Sequence, residues 1–186
     1  ADGTVTRPSE SADAGLIAGT EYLAYADRGN DGGNVTLMVQ VPAHFDPKKP
    51  CIVTGTSSGS RGIYGAIGTS GEWGLQKGCA VAYSDKGSGN GMHDLAADTV
   101  GQIDGLRSDV SEAGAKSHFT ADLSPSERAA FLAAWPNRVA IKHAHSKRNP
   151  EADWGRDTLD AVRFAFYVLN DRYGVQTHRG KVRTIR

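Results

Sequence analysis

Two short apolar runs on either side of a glycine- and serine-rich loop constrain the fold of this chain most strongly. The apolar runs are residues 51–54 and 79–83, the loop spans residues 55–71, and a short helical stretch follows it at 72–77. Continuous apolar runs bounded by glycine and polar residues are typical of strands buried on both faces of a parallel sheet. The pattern therefore predicts a strand, a crossover containing a short helix, and a second, parallel strand.

The position of a functional site follows from this predicted unit. In open parallel sheets, ligands bind beyond the carboxyl ends of the strands. Here that edge holds residues 56–62 and residues 84–91. We therefore expect the chemistry to be concentrated there.

Charge and length narrow the class of protein. The chain has 186 residues, enough for one domain with a sizeable core, and its 21 basic side chains balance 21 acidic ones. Zero net charge argues against broad nucleic-acid or anionic-membrane binding. No apolar run approaches the roughly 20 residues that span a bilayer, so we expect no membrane span.

Elements on both sides of the central unit can be assigned from their patterns. Residues 21–26 and 35–41 are β-rich and predict a hairpin whose loop only superficially resembles a calcium-binding loop. Ser124 begins a capping box that predicts a helix reaching Trp135. We interpret residues 104–137 as a lid-like excursion from the sheet, and residues 138–142 as a short extended piece.

The last predicted element is a helix from about Asp153 to Gly174. One stripe at helical spacing consists of Leu159, Val162, Phe166, Leu169 and Tyr173, and a second, small-residue stripe consists of Ala161, Ala165 and Val168. Trp73 and Trp154 are predicted core anchors. Because no strand is predicted after this helix, the sheet looks unfinished.

The two cysteines allow two interpretations. Cys51 and Cys79 each open one of the predicted neighbouring strands. We favour a pair of buried thiols that act as small core residues. The alternative is a disulfide, which implies an oxidising compartment.

The loop after the first apolar run fits three motifs. Residues 55–59 match the G-x-S-x-G nucleophile elbow, with Ser57 as nucleophile, but residues 60–68 are too glycine-rich for the helix that an elbow requires. The same loop resembles the cofactor-binding turn of short-chain dehydrogenases, but the glycine required next falls at Arg61. In the third interpretation, Ser58 and Gly59 form an oxyanion hole through backbone N–H groups.

Further polar residues are candidates for substrate binding. Ser60 and Arg61 continue the loop, and a structural ion pair is the alternative role of Arg61. Lys86 follows the second predicted strand, where we favour a structural ion pair over contact with substrate. His143 and His145 lie two residues apart and share a face in an extended segment. A metal site there needs a third ligand, and no paired Cys/His cluster is present in the sequence, so we expect no metal.

Long runs of the sequence closely resemble the D-3-hydroxybutyrate oligomer hydrolases. The resemblance spans about residues 17–173, and it is carried by GTSSGSRGIYGAIGTSGEWGLQKGCAVAYSDKGSG together with IAGTEYLAYAD, NVTLMVQVP and KHAHSKRNPEADWGRDTLDAVRFAFYVLNDRYG. It implies a serine esterase that needs no cofactor and cleaves small 3-hydroxybutyrate oligomers through an acyl-enzyme. It also implies an extracellular or periplasmic location.

The resemblance further implies that residues 1–186 are the N-terminal part of an α/β-hydrolase core, with a mostly parallel sheet preceded by a β-hairpin. Family members are several times longer, and their nucleophilic serine is expected beyond Arg186. This chain is then expected to carry the oxyanion loop, with the triad in the rest of the polypeptide or in a second one. The alternatives are an esterase of the tannase or feruloyl-esterase type and a non-catalytic fragment that completes a partner's site.

Overall fold

The structure of the chain is a computed structural model that describes residues 16–26, 34–59, 61–86, 91–182 and 184–185. It contains a four-stranded sheet with helices on both faces, a second four-stranded sheet and a short two-stranded hairpin. Within the described residues, no helix is long and apolar enough to cross a membrane.

The central sheet has the strand order β1-β2-β4-β3. Its strands are β1 (Gly19–Ala26), β2 (Val35–Pro42), β3 (Ile52–Thr56) and β4 (Ala80–Ser84). The predicted hairpin is confirmed as the antiparallel pair β1/β2, and its loop, with the calcium-like pattern, lies outside the described residues. The predicted parallel pair is confirmed as β3/β4.

Parallel pairing does not predominate in the described part of this sheet, contrary to the sequence-based expectation. The pairs β1/β2 and β2/β4 are antiparallel, and only β3/β4 is parallel. The reason is that β2, the returning strand of the hairpin, lies beside β4. The β4 strand is buried throughout, as predicted, whereas β3 is only partly buried because it is the last strand in the described order. The α/β-hydrolase assignment therefore stays a prediction.

The segment after the β3 loop is helical, contrary to the expectation that it is too rich in glycine. A 3-10 turn (Gly62–Ala66) and a π-helical turn (Ile67–Gly71) lead directly into α1 (Glu72–Gln76). The glycines permit this because they let the helical run lie very close to the sheet. A Cβ atom on Gly74 would lie 2.8 Å from Val81 Cγ2 and 3.2 Å from Val53 Cβ.

We expect the Gly74→Ala variant to lower the free energy of unfolding by about 1–3 kcal/mol, because overpacking forces the helix away from the sheet. The matched control is Gly68→Ala, since no atom lies within 4 Å of a Cβ built there. Urea unfolding of both variants measures the difference. Equal stability of the two variants would contradict the close packing described here.

The helix α4 (Trp154–Tyr173) covers the opposite face of the sheet and ends at Gly174, as predicted. The small-residue stripe lies in the core: Ala161, Ala165 and Val168 are buried, together with Leu169. Leu159, expected on the buried stripe, is 58% exposed. Short side chains let the helix backbone approach the sheet closely, which turns Leu159 outward. The predicted core role of Trp73 and Trp154 is also wrong, because they are 56% and 37% exposed.

The excursion is larger than predicted and contains a sheet of its own. Its antiparallel strands, in the order β7-β6-β5-β8, are β5 (Met92–Asp94), β6 (Thr99–Gly101), β7 (Arg107–Asp109) and β8 (Val139–Ile141). It also holds the short helix α2 (Val110–Ala113), a 3-10 turn (Gly114–Lys116) and α3 (Pro125–Ala134). The first three of these strands were not predicted, because runs of three residues show no clear alternation of apolar and polar residues. The helix that follows the Ser124 capping box is confirmed, and so is the extended piece at β8.

The end of the chain and the cysteines also differ from the sequence-based prediction. Strands β9 (Val175–Thr177) and β10 (Gly180–Val182) follow α4, contrary to prediction, but they pair with each other and not with the central sheet.

Cys51 and Cys79 are joined in a disulfide with a Cα–Cα distance of 4.8 Å. The favoured interpretation as two free thiols is therefore wrong, and the alternative, a disulfide, is the one that the structure shows.

Candidate functional site

The loop after β3 is closed by hydrogen bonds of its own. Ser57 is 0% exposed, and its N–H donates to the carbonyl of Ser84 at 2.9 Å. The Ser57 Oγ accepts a hydrogen bond from the Gly59 N–H at 3.1 Å. A Cβ atom on Gly65 would lie 2.8 Å from that Oγ, so the hydroxyl group is packed against the following helical run.

This geometry separates the candidate roles in the loop. The buried Ser57 hydroxyl faces the interior of the protein, and the Gly59 N–H is turned inward to it. The Gly62 N–H donates to the Gly59 carbonyl at 3.1 Å. Within the described part of the chain, the exposed Ser58 keeps an N–H group without a hydrogen-bond acceptor. Of the two predicted oxyanion donors, Ser58 is therefore the one whose N–H has no acceptor among the described residues. Ser60 lies outside the described residues.

Lys86 ties this loop to the start of α4. Its Nζ forms an ion pair with Glu151 Oε1 at 2.8 Å and lies 4.8 Å from the centre of the Trp154 ring. The same ammonium group makes a long contact of 3.5 Å with the Ser58 carbonyl. A hydrogen bond and charge from Lys86 lower the pKa of Glu151, with a smaller contribution from His143. The contacts favour the structural role of Lys86 over direct substrate binding.

A second contact joins the same elements. The hydroxyl groups of Thr56, at the end of β3, and Thr158, in α4, lie 3.1 Å apart. Thr158 also donates to the carbonyl of Trp154 at 3.0 Å. The carboxyl end of β3 is thus fixed to the N-terminal part of α4 by two sets of polar contacts.

A cleft of about 570 Å³ lies beside the loop. Residues 61–64 line one part of it, and residues 101–107 of the excursion line another. Leu23, Thr36 and His118 also contribute to the lining. Arg61 is exposed at this cleft, so one residue predicted to bind substrate lies at an open surface next to the loop after β3.

His118 is a lining residue of this cleft that the sequence analysis did not single out. It is 6% exposed, its Nδ1 lies 3.3 Å from Thr36 Oγ1, and its ring meets Tyr25 edge to face. Burial lowers the pKa of His118 from its usual value of 6.5, and the charge of Lys142 lowers it further, while a backbone hydrogen bond with Gln102 and the charge of Asp104 oppose the shift. The neutral imidazole is therefore favoured in the folded protein.

We expect His118 to make the protein sensitive to acid. Because its pKa is lowered in the folded state, the unfolded chain takes up a proton first, so stability is complete above pH 6.5 and falls as the pH drops below it. His118→Gln removes this part of the pH dependence, which thermal unfolding between pH 7.5 and pH 5.5 measures, as approximate limits on either side of the usual histidine pKa. The exposed His178, changed to glutamine, is the control. Equal acid sensitivity of the two variants would contradict the assignment.

The other two predicted histidines lie at a different surface. His143 and His145 are exposed, their ring centres lie 4.9 Å apart, and the His145 N–H donates to His143 Nδ1 at 3.3 Å. They line a second groove of about 490 Å³ with apolar residues that include Phe131 and Ile141. The structure does not bring them into the cleft that Arg61 lines. Among the described residues, no three His, Cys, Asp or Glu side chains are grouped so that they could hold a metal ion.

The sequence indicates the loop but not the distant residues that contact it and the neighbouring strands. Glu151, His118 and Thr158 contact Lys86, Thr36 and Thr56, from which they lie 65, 82 and 102 residues away in the chain. Contacts between such distant positions leave no local pattern. Trp154 was predicted to be a core anchor, because nothing in the sequence distinguishes an aromatic ring that packs against a lysine from one in the core.

Comparison with known proteins gives consistent results. A family model described as 3HB-oligomer hydrolase matches residues 2–186. The chain is 73% identical over all of its 186 residues to a protein from Azoarcus sp. (strain BH72) named D-(-)-3-hydroxybutyrate oligomer hydrolase, of which it covers 26%. It is 64% identical over 86% of its length to a protein of the same name from Polaromonas naphthalenivorans (strain CJ2), of which it covers 23%.

The chain thus spans about a quarter of the length of the curated relatives that it matches. No solved structure matches it.

Proposed function

This chain belongs to the 3HB-oligomer hydrolase family, and on that premise we propose that it forms part of an enzyme that hydrolyses the ester bonds of D-3-hydroxybutyrate oligomers. The relatives that are 64–73% identical to it over the aligned residues are named D-(-)-3-hydroxybutyrate oligomer hydrolase. Because the chain spans about a quarter of their length, the activity belongs to the full polypeptide, and this segment contributes one side of its site.

The contribution of this segment is stabilisation of negative charge. When a nucleophile attacks an ester carbonyl, the carbonyl oxygen becomes an oxyanion, and a preorganised N–H group beside it lowers the barrier. In α/β-hydrolases one such N–H comes from the loop after the third strand. The observation that carries the proposal is the Ser58 N–H: it lies in the loop after β3 and has no acceptor among the described residues.

The nucleophile in this proposal is a serine outside residues 1–186. Its Oγ attacks the ester carbonyl carbon while a histidine accepts the hydroxyl proton; the intermediate collapses, the C–O bond to the leaving alcohol breaks, and the histidine protonates that alcohol. Water then hydrolyses the acyl-enzyme by the same steps. Burial of Ser57 and its hydrogen bond to Gly59 support this assignment of the nucleophile to another part of the family polypeptide.

We propose the α/β-hydrolase fold for the same region. Support comes from helices on both faces of the central sheet, from its parallel β3/β4 pair and from the position of the loop at the carboxyl end of β3. The excursion that carries the second sheet is proposed as a lid, since residues 101–107 border the cleft. An extracellular or periplasmic location is proposed as well, because a disulfide persists in an oxidising compartment.

The test is hydrolysis by the full-length family protein. We expect it to cleave dimeric and trimeric 3-hydroxybutyrate and to be labelled covalently by a fluorophosphonate on a serine outside residues 1–186. Peptide mapping of the labelled protein locates the modified residue. Labelling of Ser57 would overturn the division of roles proposed here.

Two other outcomes identify the rival functions. Preference for feruloyl or galloyl esters over 3-hydroxybutyrate oligomers would place the protein with the tannase and feruloyl-esterase type. Absence of labelling and of turnover in any polypeptide that carries this segment would indicate a non-catalytic role.

A further inference from the structure

We propose that Ser57 is a positioning residue, whose buried hydroxyl group orients the oxyanion loop by holding the Gly59 N–H. This inference rests on the proposed function, since it concerns the geometry of the same loop. It replaces the role that the G-x-S-x-G pattern suggests for Ser57, namely attack on the substrate.

The surroundings of the Ser57 hydroxyl fit an internal role. Ser57 is 0% exposed, and its backbone is fixed to β4 by the hydrogen bond from its N–H to the Ser84 carbonyl. Its Oγ lies 3.1 Å from the Gly59 N and is packed against Gly65. A nucleophile must reach a substrate carbonyl, whereas a buried hydroxyl that already accepts a hydrogen bond is an efficient local support for a turn.

The peptide unit between Ser58 and Gly59 is held from both sides. Ser57 Oγ accepts from its N–H group at 3.1 Å, and Lys86 Nζ lies 3.5 Å from its carbonyl oxygen. Lys86 is fixed in turn by Glu151, at 2.8 Å, and by the Trp154 ring. With this peptide unit fixed, the preceding one, which carries the Ser58 N–H, has little freedom to rotate.

Fixing the preceding peptide unit matters because an oxyanion donor acts by being in place before the charge develops. A donor on a loose loop must be reoriented in each turnover, and a displacement of about 1 Å can cost about 100-fold in rate. Removing the Ser57 hydroxyl also leaves the buried Gly59 N–H without its acceptor, so the loop is expected to turn that group toward solvent.

The experiment compares Ser57→Ala with Ser117→Ala in the full-length family protein. Ser117 is a matched control because it is also buried and its hydroxyl is also hydrogen-bonded, to Thr120 at 2.8 Å, but in the excursion. We expect Ser57→Ala to lower kcat on trimeric 3-hydroxybutyrate by about 10- to 100-fold with KM changed less than about threefold. Ser117→Ala should leave both constants near those of the wild type.

A second variant acts on the other side of the same peptide unit. Lys86→Met removes the ammonium group and keeps an apolar chain beside Trp154, and we expect a smaller fall in kcat, also without a large change in KM. This variant keeps the inference testable if Ser57→Ala does not fold. An unchanged kcat in both variants would overturn the positioning role.

Hydrogen exchange gives a readout that needs no substrate. The Gly59 amide is expected to exchange at least about 10-fold faster in Ser57→Ala than in the wild type, and no faster in Ser117→Ala, as measured on peptides of residues 57–62. If the wild type does not cleave 3-hydroxybutyrate esters, the proposed function fails while this exchange result still decides the role of Ser57. Unchanged exchange, or fluorophosphonate labelling of Ser57 itself in the wild type, overturns the inference.

Discussion

Gly59→Val in the full-length family protein is expected to lower the turnover of 3-hydroxybutyrate oligomers by at least about 100-fold. Gly59 is buried and has a φ of 131°, a backbone conformation that a β-branched residue adopts only with strain. The loop must therefore change shape, which is expected to displace the Ser58 N–H, the proposed oxyanion donor. Loss of one oxyanion donor alone costs about 100- to 1,000-fold in kcat.

The control for this prediction is Gly180→Val. Gly180 has a φ of 107°, and no atom lies within 4 Å of a Cβ built there. The substitution therefore imposes a similar backbone strain in the β9–β10 hairpin, away from the loop. Turnover of Gly180→Val is expected to match the wild type, and equal losses in the two variants would show that general strain, not the oxyanion loop, sets the rate.

Removal of the disulfide is expected to have the largest effect on stability. Cys51 and Cys79 close a loop with a sequence separation of 28, for which the chain-entropy relation gives about 3.5 kcal/mol. A double Cys51→Ala, Cys79→Ala variant should therefore unfold at a urea concentration lower by more than about 1 M. The disulfide fixes the starts of β3 and β4, so its loss should loosen the parallel pair that carries the site.

Reductant supplies the control for the disulfide. The wild type treated with dithiothreitol should unfold near the urea midpoint of the double variant. The reductant should not shift the midpoint of the double variant, because that variant has no disulfide between positions 51 and 79. Digestion without reductant should yield one peptide that joins Cys51 to Cys79. Separate peptides from untreated protein would contradict the pairing.

Local patterns predicted most of the elements around the site because each has a strong local cause. The β3–loop–β4 unit follows from two apolar runs, α3 from the Ser124 capping box, and the end of α4 from Gly174. Strand direction was predicted less well, since it depends on which neighbour β2 takes. The buried face of α4 was also predicted only in part. Its small residues pack closely against the sheet, and the larger Leu159 is exposed instead of buried.

The sequence predicts which residues form the candidate site but not how those residues are arranged in space. Small residues after β3 indicate a loop that can approach a ligand, and this is a local signal. Which N–H group is open depends on the Ser57 hydroxyl, which turns the Gly59 N–H inward. The supports from Glu151 and Thr158 come from distant parts of the chain, and a single sequence carries no trace of such contacts.

A crystal structure of the full-length family protein inhibited by a phosphonate analogue of the 3-hydroxybutyrate ester tests the proposed role of the Ser58 N–H. We expect the phosphonate oxygen that replaces the oxyanion to lie about 2.7–3.1 Å from the Ser58 N, with phosphorus bonded to a serine outside residues 1–186. An oxygen more than about 4 Å from that nitrogen, too far for a hydrogen bond, or phosphorus bonded to Ser57 Oγ, would contradict this expectation.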